Sequence, residues 1–209
     1  MLGAITILSD TAAAFGTPKL TRIKVVGDGA YVAGGSVGFA DLFNTAVGET
    51  REILSMIGDG QEGDVHLEYT PRGPSVVATA VAATDLITTV TPQPLNAAAV
   101  PVAHGFAAGD PVEFRAVKNG TNANLPDGKL PSPLAEVTVY YVIASGLTTT
   151  AFKVSATSGG SAIDLTDAGA GRWTVRKSDR LFTRDMAAGT EDTTADQSGR
   201  TYTLFVTSK

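Results

Sequence analysis

The sequence contains no cysteine. Disulfide staples, zinc–thiolate centres and thiol nucleophiles are therefore excluded. Histidine is scarce: His66 and His104 are the only two. Imidazole chemistry would have to run through one of them. Trp173 is the single tryptophan, and only 18% of the residues are charged. No apolar run approaches the roughly 18 to 20 residues of a membrane-crossing helix. The opening stretch MLGAITILSDTAAAFG has a short apolar run, Ile5 to Leu8, and no basic residue ahead of it. That is not the pattern of a secretory signal, and the chain is expected to be made and used in soluble form.

No basic stripe is present either. The net charge is −5 over 209 residues. Residues 1–85 hold five basic and ten acidic residues, 86–176 six of each, and 177–209 five of each. Phosphate contacts need clustered Lys and Arg, so neither nucleic acid nor a membrane surface is an expected partner.

What the chain does have is glycine, threonine, alanine and short apolar alternations, with 23 Gly and 10 Pro. That texture favours short strands broken by turns. Leu20–Val26 and Asp64–Thr70 alternate; in the latter Val65, Leu67 and Tyr69 share one face and His66 and Glu68 the other. Further strands are expected at Ala30–Ala33, Glu52–Ile57, Ser75–Ala82, Ile87–Thr91, Asp110–Val117, Val137–Ala144, Ala151–Ala156, Ile163–Leu165, Arg172–Arg176 and Thr201–Thr207. Phe39, Leu42, Phe43 and Ala46 have helical spacing, which predicts one helix over Val37–Val47 with Ser36 as its cap and Gly48 just past its end. Loops are expected at Lys118–Pro133 and Ala187–Gly199. The fold class is mainly β: a sandwich or barrel with one short helix.

The tempting chemical positions have plainer structural readings. His104, in AHGFAAGDPVEFRAV, would need a nucleophile or an orienting acid to act as a base. Its place before Gly109-Asp110-Pro111 reads instead as a turn whose side chain hydrogen-bonds locally. His66 sits on the polar face of a strand. Gly27-Asp28-Gly29 has Val32 where a dinucleotide fingerprint needs glycine and opens no helix, so a hairpin turn is expected. Asp59, Glu62 and Asp64, and Glu191, Asp192 and Asp196, lack a calcium-loop pattern. Asn119-Gly120-Thr121 matches a glycosylation acceptor without a secretory signal. No Gly-x-Ser-x-Gly elbow occurs. No catalytic, cofactor-binding or metal-ligating residue is assigned, and no enzyme activity is expected.

Two resemblances extend this reading. HGFAAGDPVEF followed by VTVYYVIASGLTTTAFKVSATSGGSAIDLTDAGAGRWTV resembles a β module of tailed-phage virion proteins, over residues 86–176. ITILSDTAAAFGTPKLTRIKVVGDG, GFADLFNTAVGETREILSMIGDG and the terminal RTYTLFVTSK resemble small phage structural proteins with a short β domain and one helix. The resemblance implies a discontinuous host domain, 1–85 and 177–209, with a module inserted at 86–176. It implies a non-enzymatic decoration (cement) protein on the outside of a phage head, made in the host cytoplasm and bound to the major capsid protein. A homo-oligomer, a trimer, is implied by the class, with the host part on the shell and the module projecting. The alternatives are a tail-tube, fibre or head–tail component, or a glycan-binding attachment module using Tyr140, Tyr141 and Trp173.

Overall fold

A computed structural model describes residues 2–10, 18–27, 36–59, 65–92, 99–118, 127–136, 138–185 and 201–208. In chain order the elements are β1 (Leu2–Asp10), β2 (Lys19–Gly27), β3 (Ser36–Val37), α1 (Phe39–Val47), β4 (Ile53–Asp59), β5 (Val65–Thr70), β6 (Val76–Val81), β7 (Leu86–Val90), β8 (Pro111–Ala116), β9 (Val139–Ile143), β10 (Ala151–Ser155), β11 (Trp173–Lys177), β12 (Arg180–Asp185) and β13 (Thr201–Ser208). The protein is mainly β, with one α-helix among the described residues. The chain divides into two compact units, residues 1–71 with 179–209, and residues 72–178.

The first unit contains an antiparallel sheet in the order β1-β2-β13-β4 and a small sheet β3-β12-β5. Alternation in β2 has a direct structural result. Ile23 and Val25 are fully buried beside Leu204 and Tyr202 of β13, while Arg22 and Lys24 take the other face. Phe39 and Phe43 of α1 close this core, 6.3 Å apart between ring centroids, and Tyr69 meets Phe39 edge-on at 5.8 Å. Gly48 ends the helix as expected, at φ 75°, where any other residue would be strained. The start of the helix differs from expectation. Ser36 lies in β3 and the N-cap is Gly38. The capping acceptor comes from far along the chain: Ala40 N–H donates to Oδ2 of buried Asp179 at 2.7 Å, and Gly38 N–H donates to the Asp179 carbonyl at 3.2 Å. A carboxylate at a helix N-terminus satisfies orphan N–H groups and opposes the helix dipole favourably.

The second unit is a closed six-stranded barrel in the cyclic order β10-β7-β6-β11-β8-β9. Its strands send Ile87, Val112, Phe114, Tyr140, Val142, Phe152, Val154, Trp173 and Val175 into one core. Trp173 lies opposite Ala78 on β6 and Ala116 on β8, so two small neighbours leave room for the largest side chain. Phe114 meets Trp173 edge-on at 5.9 Å. Each fully buried aromatic contributes about 2–3 kcal/mol of transfer free energy.

Several expectations are corrected. The boundary at residue 85 moves to residue 71: β6 pairs with β7 and β11 inside the barrel, so residues 72–85 belong with the second unit, as do Lys177 and Ser178. Ile163–Leu165 is not a strand; the Ile163 N–H bonds to the Val154 carbonyl and the Leu165 N–H to Asp85 Oδ1. Neither β1 nor β12 was expected as a strand. The expected strand Ala30–Ala33 and loop Ala187–Gly199 lie outside the described residues.

Two substitutions test this architecture. A Cβ on Gly128 would sit 1.9 Å from the Arg172 carbonyl oxygen and 2.8 Å from Val117 N, both backbone atoms. Gly128→Ala is therefore expected to lower barrel stability by about 3 kcal/mol or more, measured by chemical denaturation. Asp179→Ala strips the distant cap and is expected to cost the first unit about 1–2 kcal/mol, with Asp179→Asn recovering part of the loss.

Candidate functional site

Three polar clusters stand out, and none had been singled out from sequence apart from the turn at His104. The first closes one end of the core of the first unit. Arg51 is held between α1 and β4 and is only 6% exposed. Its backbone N–H donates to Asn44 Oδ1 at 2.9 Å, which fixes the connection to the helix. Its guanidinium grips Asp10 at the end of β1 with two bonds, 3.0 and 2.6 Å, and donates to Thr21 Oγ1 at 3.0 Å and, through Nε, to Glu49 Oε1 at 2.6 Å. Lys19 Nζ meets the same Glu49 oxygen at 2.7 Å. A buried guanidinium is tolerated because the paired carboxylates and the hydroxyl fill its donors. The bonds from Arg51 are the main reason that the Asp10 carboxyl falls from its ordinary 3.8 to about 2. Lys19 first, and Arg51 second, hold the Glu49 carboxyl low, and Asp10 pushes Arg51 up.

The second cluster lies on β8 and β11 of the barrel. Val112 and Phe114 enter the core, so Glu113 between them faces the opposite way. It is nevertheless 1% exposed. Glu113 is opposite Arg176 in the β8–β11 register, and Arg176 Nε donates to its Oε1. Arg72 Nε lies 3.2 Å from that oxygen and Arg115 Nε 3.9 Å. A buried carboxylate requires such partners, and breaking the set would leave an unpaired buried charge.

The third cluster is the turn that contains His104. The Phe106 N–H donates to His104 Nδ1 at 2.9 Å, the His104 N–H donates to the Thr149 carbonyl at 3.2 Å, and the Ala107 N–H donates to Asp110 Oδ2 at 2.8 Å. The ring stacks on Phe106 at 4.8 Å and meets Phe152 edge-on at 5.2 Å. This is the locally bonded turn read from the sequence. Nδ1 accepts the Phe106 backbone proton, and Nε2 is buried with no hydrogen-bond partner among the described residues.

The remaining sequence candidates do not converge. His66 lies in β5 opposite Arg184. Asp59 ends β4, while Glu62, Asp64, Glu191, Asp192 and Asp196, and the acceptor Asn119-Gly120-Thr121, lie outside the described residues, as does the Gly27-Asp28-Gly29 turn beyond Gly27. Tyr140 and Trp173 are 5% and 2% exposed. They are core residues, and the aromatic platform proposed for glycans does not form from them. The Tyr140 hydroxyl accepts the Ala135 N–H at 2.9 Å, which completes its role as a core residue with a polar tip. No group of three or more His, Cys, Asp or Glu among the described residues is arranged to hold a metal ion. No helix among them is long and apolar enough to cross a membrane.

The Asp10–Arg51 pair has a pH signature. Because the Asp10 carboxyl is depressed in the folded chain, its contribution to stability is present above about pH 4 and is lost as the pH falls through about 2. A carboxyl titration followed by NMR is expected to place Asp10 near pH 2, and Arg51→Met to return it toward about 4 while lowering stability by about 2–3 kcal/mol. An Asp10 midpoint that stays in place in the variant would show that Arg51 is not the cause. No family model matches the chain, and no curated protein or solved structure compared with it matches either.

Proposed function

We infer that this chain is a non-enzymatic structural protein of a phage virion, a decoration protein that binds the major capsid protein on the outer surface of the head and works as a homo-oligomer. The observation that carries the reading is the construction of residues 72–178. They form a barrel with its own core and no open sheet edge, and the chain enters and leaves it at adjacent points: the Gly73 N–H donates to the Lys177 carbonyl at 3.0 Å. A self-contained barrel carried within a second β unit is a building-block arrangement, and it agrees with the virion-module resemblance of HGFAAGDPVEF and the strands after it. Insertion at one point disturbs a host domain little, because its two cut ends stay close together.

The physical demands on a decoration protein fit this construction. Such a protein folds alone and then meets a repetitive shell, where many identical weak contacts add through symmetry and avidity. The charged clusters at Arg51 and Glu113 are turned inward and fix elements within each unit, which leaves recognition to the outer surfaces.

Quantitative mass spectrometry of virions that carry this protein tests the reading. The expected copy number relative to the major capsid protein is near one, or a simple fraction set by shell symmetry. A copy number matching tail-tube or fibre subunits would move the protein to the tail. Absence from virions would overturn the structural reading.

A further inference from the structure

The outer face of the β1-β2-β13-β4 sheet is more apolar than a solvated face needs to be. Among the described residues six large apolar side chains are exposed, and three of them, Leu8, Leu20 and Leu54, belong to this sheet. Two of the three reach solvent through irregular pairing. The β1–β2 register slips between Ile7 and Ser9, and the β13–β4 register slips between Thr207 and Ser208. Each slip adds one residue to an edge strand, and the added residues are Leu8 and Leu54. Ile7, Ile53 and Met56 beside them belong to the core, so the two leucines take the outer face, 47% and 43% exposed. A bulge re-aims a side chain in this way. A single exposed leucine needs no explanation, but three on one face do.

The face is also ordered about β13. Lys24 on β2 and Asp59 on β4 both stand opposite Thr203, one on each side of it. A basic and an acidic residue thus sit at the same level, one strand either way from β13. Leu20 on β2 and the bulge at Leu54 on β4 flank Thr207 in the same manner. Between these two levels lies half-buried Phe205, with Arg22 on one side and Ile57 on the other. The exposed Arg22 guanidinium is 5.8 Å from the Phe205 ring centre.

We propose that this face binds a second copy of the chain: two copies stack these sheets face to face about a two-fold axis that runs along β13. The rotation exchanges the two sides of β13. Lys24 of each copy then meets Asp59 of the other, and Leu20 meets the bulge at Leu54. Phe205 meets its own counterpart at the axis, with an arginine beside each ring. Arginine on an aromatic ring is the composition of an interface hot spot, and the contact strengthens as water leaves it. A two-fold axis running across the strands would instead set Arg22 against Arg22 and Lys24 over Leu20, so charge selects the axis along β13. The contact is isologous and closes at two copies. Three overlapping strands about 4.8 Å apart and roughly 27 Å long give a flat footprint of about 400 Å² per copy before side-chain relief is counted, the size of a small, reversible interface. The proposal rests on the homo-oligomer part of the reading above. It gives that oligomer a surface, and two copies in place of the three that the resemblance implied.

Sedimentation velocity on the full chain tests it. The wild type at high micromolar concentration is expected to sediment as two chains and to dissociate on dilution. Lys24→Asp sets like charges against each other at both contacts, and so does Asp59→Lys. Each variant alone is expected to raise the dissociation constant about tenfold or more, with an unchanged thermal transition. Mixing the two restores both opposite-charge contacts, so a mixed dimer is expected. A chain that carries both substitutions is expected to dimerise with itself. A monomeric wild type, an oligomer of another size, single variants that dimerise like the wild type, or a mixture that stays monomeric would each overturn the proposal. A monomeric wild type whose Leu20→Lys variant is lost from virions would give the face to the shell, which also overturns it. A monomeric protein found in virions overturns this interface alone, whereas a dimer absent from virions overturns the virion reading alone.

Discussion

The structure depends on how the chain passes between its two units. The Gly73 N–H bonds to the Lys177 carbonyl on the barrel side, and Thr70 pairs with Arg180 on the other. Strands β5 and β12 run antiparallel up to the crossing, and the barrel begins and ends within a few residues of it. With both ends of the barrel segment held side by side, each unit can close its own core. Trp173, Phe114 and Phe152 serve one core, and Phe39, Phe43 and Tyr202 the other. The residue just past the crossing, Asp179, then caps α1. The return strand therefore supplies both a sheet partner and the charge that starts the helix.

Burial of charge is handled in the same way in both units. Arg51 and Glu113 are each removed from solvent and each surrounded by opposite charge drawn from separate elements. Burying an ion costs several kcal/mol unless its partners are close and well oriented, so these clusters add little net stability over a packed apolar side chain. What they add is position. Arg51 can be satisfied only when β1, β2 and the α1–β4 connection are all in place. Glu113 needs β8, β11 and the segment before β6.

The legible part of the sequence was local. Alternation marked β2 and β5, short apolar stretches between turn residues marked β8 and β11, and helical spacing marked α1, because each signal lies within a few neighbouring residues. The turn at His104 was legible for the same reason, since its bonds to Phe106 span two residues. The helix cap was misread because Ser36 is the nearest capping residue in sequence, whereas the carboxylate that accepts the Ala40 N–H belongs to Asp179, 139 residues away. Nothing near Glu113 in the sequence reveals that Arg72 and Arg176 cover it. β12 escaped notice because Arg180, Arg184 and Asp185 dilute its apolar content, and its pairing with β5 decides its conformation.

The sequence by itself determined the mainly β character, the position of α1, the exclusion of thiol chemistry and the local hydrogen bonding of the His104 turn, all of which follow from residue type and short-range periodicity. Only the tertiary structure decided that β6 joins the barrel and not the preceding strands, that six strands close on Trp173, and which carboxylates and guanidiniums are buried. Strand pairing and ion pairing join residues that are tens of positions apart. Alternation shows which face of a strand is apolar, but the partner strand is chosen by whichever closure satisfies every edge and every buried charge at once.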